Sequence, residues 1–82
     1  MYRKLAEKLT GRVLARESDA YPWEDPYNMP DYVLWMLREI PKMEDTYKAS
    51  RWIGWCLSRM ETMNMLTNKE SRELVRKFHE EE

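Results

Sequence analysis

The stretch KASRWIGWCLSRMETM, residues 48–63, decides the fold of this chain. Small or apolar side chains recur in it at intervals of four, three, four and three residues, namely Ala49, Ile53, Cys56, Met60 and Met63. This spacing places them along one side of a helix, as in the seams of packed helices. The stretch therefore predicts a long helix, over residues 42–63, that packs against other helices.

Two helices are predicted before it. The apolar positions of residues 2–15 and of residues 29–40 follow the i, i+3, i+4, i+7 spacing of a helix face. Asn28 suits the N-cap of the second of these helices, and Pro30 suits its first turn, where the missing N–H costs nothing.

A fourth helix is predicted after the long one, over residues 67–79. Thr67 and Glu70 have the T-x-x-E spacing of a capping box, in which each side chain satisfies a backbone N–H of the first turn. Asn64 is a suitable left-handed residue for ending the long helix. The sequence therefore predicts one all-α domain over residues 1–82, a compact bundle of about four helices with an ordered acidic, aromatic loop over residues 16–28.

The composition excludes most kinds of chemistry. A chain of 82 residues with one Cys and one His has no intrachain disulfide and few ways to bind a metal or build a catalytic dyad. Cys56 lies on the apolar side of the long helix, where we interpret it as a small buried hydrophobe. We therefore expect no catalytic residue, no metal and no cofactor, and a protein that is not an enzyme.

Charge is distributed unevenly along the chain. The net charge of −1 argues against a dedicated nucleic-acid binder, which needs many cations to displace counterions from phosphate. Residues 1–16 nevertheless carry five basic side chains and one acidic, whereas residues 17–37 carry five acidic and none basic. An electrostatic partner would therefore contact one segment rather than the whole surface.

The apolar runs of the sequence are short. The longest spans residues 32–37, whereas a helix that crosses a bilayer needs about twenty apolar residues. The N-terminal residues also lack the apolar region of a signal peptide. We expect no membrane contact and a cytoplasmic location, which the single Cys also favours.

The acidic, aromatic loop is the first candidate for a binding site. Its large rings either fold back and close the core, which their size favours, or are displayed to a partner. If they are displayed, rings would anchor a partner while carboxylates steer a basic protein surface onto them. The predicted partner-binding residues are Tyr21, Trp23, Glu24, Asp25, Tyr27 and Asp31.

The long helix carries a second candidate, a stripe of Lys48, Trp52, Trp55 and Arg59 at intervals of four, three and four residues. Two indoles between two cations suit a nucleic-acid base or a phosphate. The favoured interpretation is structural: the indoles flank the core and supply volume that a single Phe cannot, and the Lys and Arg stems cover them.

Small residues form a third pattern on the same helix, at Ser50, Gly54 and Ser58. Glycine in mid-helix is unfavourable, so another backbone is expected to approach closely there. The approaching element is either the first or fourth helix of the same chain, which we favour, or a second subunit in a homodimer.

The basic first helix offers an alternative function. Its cations could bind phosphates, and they are Arg3, Lys4, Lys8 and Arg12. The chain would then be a small DNA- or RNA-binding regulator. An oligomeric structural or assembly component is a further alternative.

The residues RWIGWCL (51–57) and LTNKESR (66–72) resemble the C-terminal half of small helical proteins encoded by bacteriophages. In those proteins a helix of the R-W-x-G-x-x-L type leads through a short turn to an L-T-x-x-E-S-R helix. The resemblance covers about residues 48–78, with Asn64 in place of the usual turn Gly. It implies an inhibitor or modulator that occludes a host protein, such as a nucleic-acid enzyme or a defence complex.

Overall fold

The fold is seen in a computed structural model that describes residues 2–16 and 29–81. Four helices occur in these ranges: α1 (Arg3–Arg16), α2 (Pro30–Glu39), α3 (Thr46–Thr62) and α4 (Asn68–Glu81). A 3₁₀ helix, Ile40–Lys42, follows α2, and the described ranges contain no strand. The predicted all-α fold is confirmed.

The core is built largely from aliphatic and methionine side chains. The predicted seam of α3 is confirmed, because all five of its residues are buried. Methionine fills irregular gaps well, since its side chain is long, unbranched and flexible. The largest side chains that are fully buried are Leu5, Leu9, Val13, Val33, Leu37, Ile40, Cys56, Met60, Met63 and Met65.

None of the three Trp side chains in the described ranges, Trp35, Trp52 and Trp55, is among those fully buried residues. Trp52 and Trp55 are half-buried and pack against the edge of the core, so the expectation that they flank it is confirmed. They supply partly buried volume at this edge, whereas Met60, Met63 and Met65 are fully buried.

The start of α3 corrects the prediction of a helix from residue 42. Pro41 and Lys42 belong to the 3₁₀ helix, and Met43 then adopts an extended conformation. Asp45 is the N-cap, and its carboxylate accepts a hydrogen bond from Lys48 N at 3.1 Å. Because this bond satisfies one of the first free N–H groups of the helix, α3 begins at Thr46.

The start of α2 also differs slightly from the prediction. Pro30 occupies the first helical position, as its fixed φ favours. The N-cap is Met29, which makes no side-chain capping bond, whereas the predicted cap Asn28 lies outside the described residues.

The turn between α3 and α4 follows the sequence signals closely. Asn64 has φ 64°, which confirms the predicted left-handed residue. Hydrogen bonds run from Asn64 N to Glu61 O at 3.1 Å and from Met65 N to Met60 O at 2.8 Å, the pattern of a Schellman motif. The capping box is confirmed, because Glu70 N donates to Thr67 Oγ1 and Thr67 N donates to Glu70 Oε1, each at 3.1 Å.

Helix α4 is attached to α1 by a polar contact. Arg12 Nη1 donates to Glu70 Oε2 at 2.9 Å and to the Met65 carbonyl at 3.1 Å. The backbone of α4 packs more closely against α1 than against α3. A groove is therefore left open between α3 and α4.

Candidate functional site: a cation-edged aromatic face

Four aromatic rings lie together on the outer side of α2 and α3. Each helix contributes two rings spaced three residues apart, which places both on the same side of that helix. Three basic side chains of α3 lie around or over these rings. We call this surface the cation–aromatic face, and its members are Tyr32, Trp35, Trp52, Trp55, Lys48, Arg51 and Arg59.

The rings form one continuous chain of contacts. The Trp35 ring centroid lies 5.8 Å from that of Trp52 and 5.8 Å from that of Tyr32. Tyr32 in turn meets Trp55 edge-on, with centroids 5.6 Å apart and planes at 62°. Tilted and edge-to-face pairs at these distances are favourable, so each ring restrains its neighbours. The face is therefore held in one arrangement by its own contacts.

Basic side chains lie over two of these rings. Lys48 Nζ is 5.4 Å from the Trp52 centroid, and Arg59 Cζ is 4.7 Å from the Trp55 centroid. Both distances are within the range of cation–π attraction. The structure thus brings together the predicted stripe, and the prediction that its cations cover its indoles is confirmed.

Sequence reasoning missed the contribution of α2. Tyr32 and Trp35 were not assigned to any site, although their spacing of three residues was a usable signal for a shared side. This side of α2 faces Trp52 and Trp55 because of the way α2 packs against α3. The spacing of residues within α2 does not reveal that packing. Half of the Trp35 side chain, 50%, remains exposed.

The centre of the face is a shallow cleft of about 450 Å³. Its described lining contains two guanidinium groups and no carboxylate, and includes Tyr32, Met36, Arg51, Trp52, Trp55 and Arg59. Within the described part of the chain, Arg59 Nε is buried without a hydrogen-bond partner. The cleft is therefore apolar and positively charged in a chain whose net charge is −1.

A second opening, the α3–α4 groove, has a volume of about 490 Å³. Its lining combines polar and apolar residues, and those described are Gly54, Leu57, Ser58, Glu61, Asn68, Ser71, Arg72, Val75 and Arg76. A Cβ built on Gly54 would meet nothing within 4 Å. The predicted close approach of α1 or α4 to Gly54 is therefore wrong, because α4 packs against α1 instead.

The other residues of the small-residue pattern are also open. Ser50 and Ser58 are exposed, like Gly54. The alternative that these three residues form a homodimer contact stays a prediction.

Most of the predicted partner-binding loop falls outside the described residues, including Tyr21, Trp23, Glu24, Asp25 and Tyr27. Asp31 is described: it is exposed in the first turn of α2, where the helix dipole stabilises a carboxylate. The prediction for the loop therefore stays a prediction.

The basic residues of α1 divide into two groups. Arg3, Lys4 and Lys8 are exposed, as a phosphate-binding surface requires. Arg12 is half-buried and held by Glu70 and the Met65 carbonyl, which corrects its assignment as a nucleic-acid contact.

Reactive groups are not assembled elsewhere in the described ranges. Burial raises the pKa of the Cys56 thiol to about 12, and the prediction that Cys56 is a buried apolar side chain is confirmed. Residues 2–16 and 29–81 hold no group of three or more His, Cys, Asp or Glu side chains placed to bind a metal ion. Those residues also include no helix with the length and apolar character needed to cross a bilayer.

The stretch with the phage-type resemblance, about residues 48–78, contains Trp52, Trp55 and Arg59 of the face and the capping box of α4. The resemblance itself stays a prediction. No protein-family model, curated protein or solved structure matches this chain.

Proposed function

We propose that this protein is a non-enzymatic interaction module that acts by covering a surface of a partner protein. The observation that carries the proposal is the cation–aromatic face, where Trp35 is 50% exposed within a chain of four packed rings. Trp, Tyr and Arg are the side chains most enriched among residues that dominate protein–protein binding energy. Exposed aromatic clusters with a polar rim are typical of such interfaces.

The geometry of the rings also supports binding to a protein. Because the rings are restrained by one another, little side-chain entropy is lost when a partner covers them. A nucleic-acid platform, in contrast, needs open ring faces on which bases stack. Lys48 and Arg59 lie over Trp52 and Trp55, so these two indoles each have a face occupied by a cation.

The biological setting of the proposal follows from the sequence. The phage-type resemblance supports a role as an inhibitor or modulator of a host protein, such as a nucleic-acid enzyme or a defence complex. A cytoplasmic setting suits Cys56, which is a free thiol. The acidic loop is a separate candidate for contact with a basic partner surface.

The test is a capture experiment with a matched pair of variants. Trp35→Ala removes the exposed ring of the face, whereas Leu14→Ala removes a side chain of similar exposure, 52%, on α1. We expect Trp35→Ala to lose the partner that wild type captures from a bacterial lysate. Loss of an aromatic anchor costs about 2 kcal/mol, or about thirtyfold in affinity. Leu14→Ala should capture the same partner in undiminished amount.

Equal capture by wild type and a folded Trp35→Ala protein would contradict the proposal. Nuclease treatment of the lysate tests the alternative function, a DNA- or RNA-binding regulator, because capture that depends on nucleic acid would be lost. A Trp23→Ala/Glu24→Ala variant tests the loop prediction independently of the face.

A further inference from the structure

We infer that the cation–aromatic face receives an acidic segment of its protein partner. In this complex the carboxylates contact Arg51 and Arg59, and an apolar side chain of the partner lies against Trp35. The inference rests on the proposed function and names the chemistry of its partner.

The first argument is unbalanced charge. Among residues 2–16 and 29–81, the cleft is lined by two guanidinium groups and no carboxylate, and the ammonium of Lys48 lies over Trp52 of the same lining. None of these three cations forms an ion pair with a carboxylate of residues 2–16 or 29–81. Arg59 is half-buried, so its guanidinium is only partly hydrated, and an anion from outside gains more there than at an open surface.

The second argument is the geometry of Arg59. Its guanidinium lies over the Trp55 ring, with Cζ 4.7 Å from the ring centroid. The N–H groups of a guanidinium lie in one plane, where they form a rigid fork of donors. The Nε atom is buried, which restrains the position of the side chain. A restrained planar donor group is well suited to a carboxylate, which accepts two parallel hydrogen bonds.

The third argument distinguishes an acidic protein segment from a nucleic acid. Base stacking on Trp52 and Trp55 competes with the cations that already lie over those rings. Three cations on the face also give little counterion release, and the net charge of −1 does not attract a long polyanion. A protein segment with a few carboxylates next to an apolar side chain therefore matches the face better than a nucleic acid does.

The experiment uses three defined probes on the full-length protein. The first is a pool of short fluorescent peptides with Asp or Glu alternating with Trp, Leu or Phe. The second pool is identical except that Asn and Gln replace the acids, and the third probe is oligothymidylate. We expect the acidic pool to bind at least about tenfold more tightly than the neutral pool, because charge-assisted hydrogen bonds are the stronger ones.

Paired variants locate the binding. Arg51→Gln/Arg59→Gln should weaken binding of the acidic pool by about tenfold or more. Arg3→Gln/Lys8→Gln removes the same charge from exposed positions on α1 and should change that affinity by less than about threefold, as expected for distant screened charges. Lys48→Gln provides a second test at an exposed position if the double Arg variant does not fold.

Each contrary result has a distinct meaning. Equal binding of the acidic and neutral pools, lost in Trp35→Ala, overturns the inference and leaves the proposed function intact. Binding of oligothymidylate that depends on Arg59, without binding of the acidic pool, overturns the inference in favour of nucleic acid. If no probe binds while Trp35 still governs capture from lysate, the acidic segment is wrong and the interaction module stands.

Discussion

The cation–aromatic face and the α3–α4 groove lie on different sides of the same helix, and they are built from opposite kinds of side chain. The face carries indoles and cations that contact one another, whereas the groove carries Gly54 with nothing above it. Sequence reasoning expected the indoles to flank the core, as they do, and expected Gly54 to lie against another helix, which it does not.

The difference teaches how a small domain fills its interior. Met60, Met63 and Met65 are flexible enough to occupy the space between the helices, so the rigid indoles are not needed there. The indoles instead close the α2–α3 edge, where half of Trp35 remains exposed to solvent. The exposed tryptophan therefore reflects a core filled by methionine and leucine, whereas the exposed glycine reflects the packing of α4 against α1.

The largest expected effect tests this use of methionine. Met60→Ala, at a fully buried position, should reduce the free energy of unfolding by about 2 to 5 kcal/mol through lost burial and a cavity. Trp35→Ala should cost only about 1 to 2 kcal/mol, because half of the side chain is already exposed. Urea denaturation followed by circular dichroism measures both. A greater loss for Trp35→Ala than for Met60→Ala would show that the ring cluster belongs to the core.

A smaller effect of opposite sign is expected in the groove. Gly54→Ala should raise the free energy of unfolding by about 0.5 to 1 kcal/mol, because alanine is the better helix former and its methyl group meets no neighbour. Gly11→Ala is the matched control, since Gly11 is also helical and open. Chemical denaturation of the two variants should give similar gains.

Opposite effects of Gly54→Ala and Gly11→Ala on the free energy of unfolding would change the comparison between the cation–aromatic face and the groove. If Gly54→Ala destabilises the protein while Gly11→Ala stabilises it, a second subunit approaches Gly54. Sedimentation velocity would then show a dimer for wild type and a shift toward monomer for Gly54→Ala.

The smallest effect concerns the attachment of α4 to α1 by the contact between Arg12 and Glu70. The hydrogen bond from Arg12, and next the one from Thr67 N, holds the pKa of Glu70 below its ordinary value. A lowered folded-state pKa stabilises the fold above the unfolded pKa of about 4.3, and this contribution is lost as pH falls through the folded-state pKa. Wild type should therefore exceed Glu70→Gln in stability at neutral pH, and the difference should shrink in acid.

Denaturation midpoints measured from neutral pH to about pH 3, below the unfolded pKa, test this expectation. Glu73→Gln is the control, because it removes a carboxylate from the exposed surface of α4 without removing the Arg12 contact. A constant difference between wild type and Glu70→Gln at every pH would contradict the assigned role of Glu70.

Local signals predicted the helix ends well, because each end depends on residues a few positions apart. Thr67 caps α4 through Glu70, and Asn64 ends α3 through its own left-handed backbone. The start of α3 was missed, since Asp45 is a better cap than the residues around Pro41 and the 3₁₀ helix takes up Lys42. When two nearby residues can each cap a helix, a small difference in free energy decides where the helix begins.

The surfaces could not be predicted in the same way, because they depend on contacts between distant segments. Arg12 and Glu70 are 58 residues apart, and their bond joins α4 to α1. Gly54 stays open on α3, with no described neighbour within 4 Å of a Cβ built on it. Trp35 meets Trp52 only because α2 crosses α3 at that level. Spacing within one helix identifies which residues share a side, but the element that faces that side is settled by the packing of the whole domain.

The methionines of the core also connect the stability of this protein to oxidation. A thioether that becomes a sulfoxide turns polar, and a polar group without partners is costly in an apolar interior. Oxidants meet Met60, Met63 and Met65 chiefly when the bundle opens, because these side chains are buried in the folded state. Each oxidised molecule then refolds less readily, so oxidation progressively depletes the folded population, and reductases that restore methionine reverse that loss.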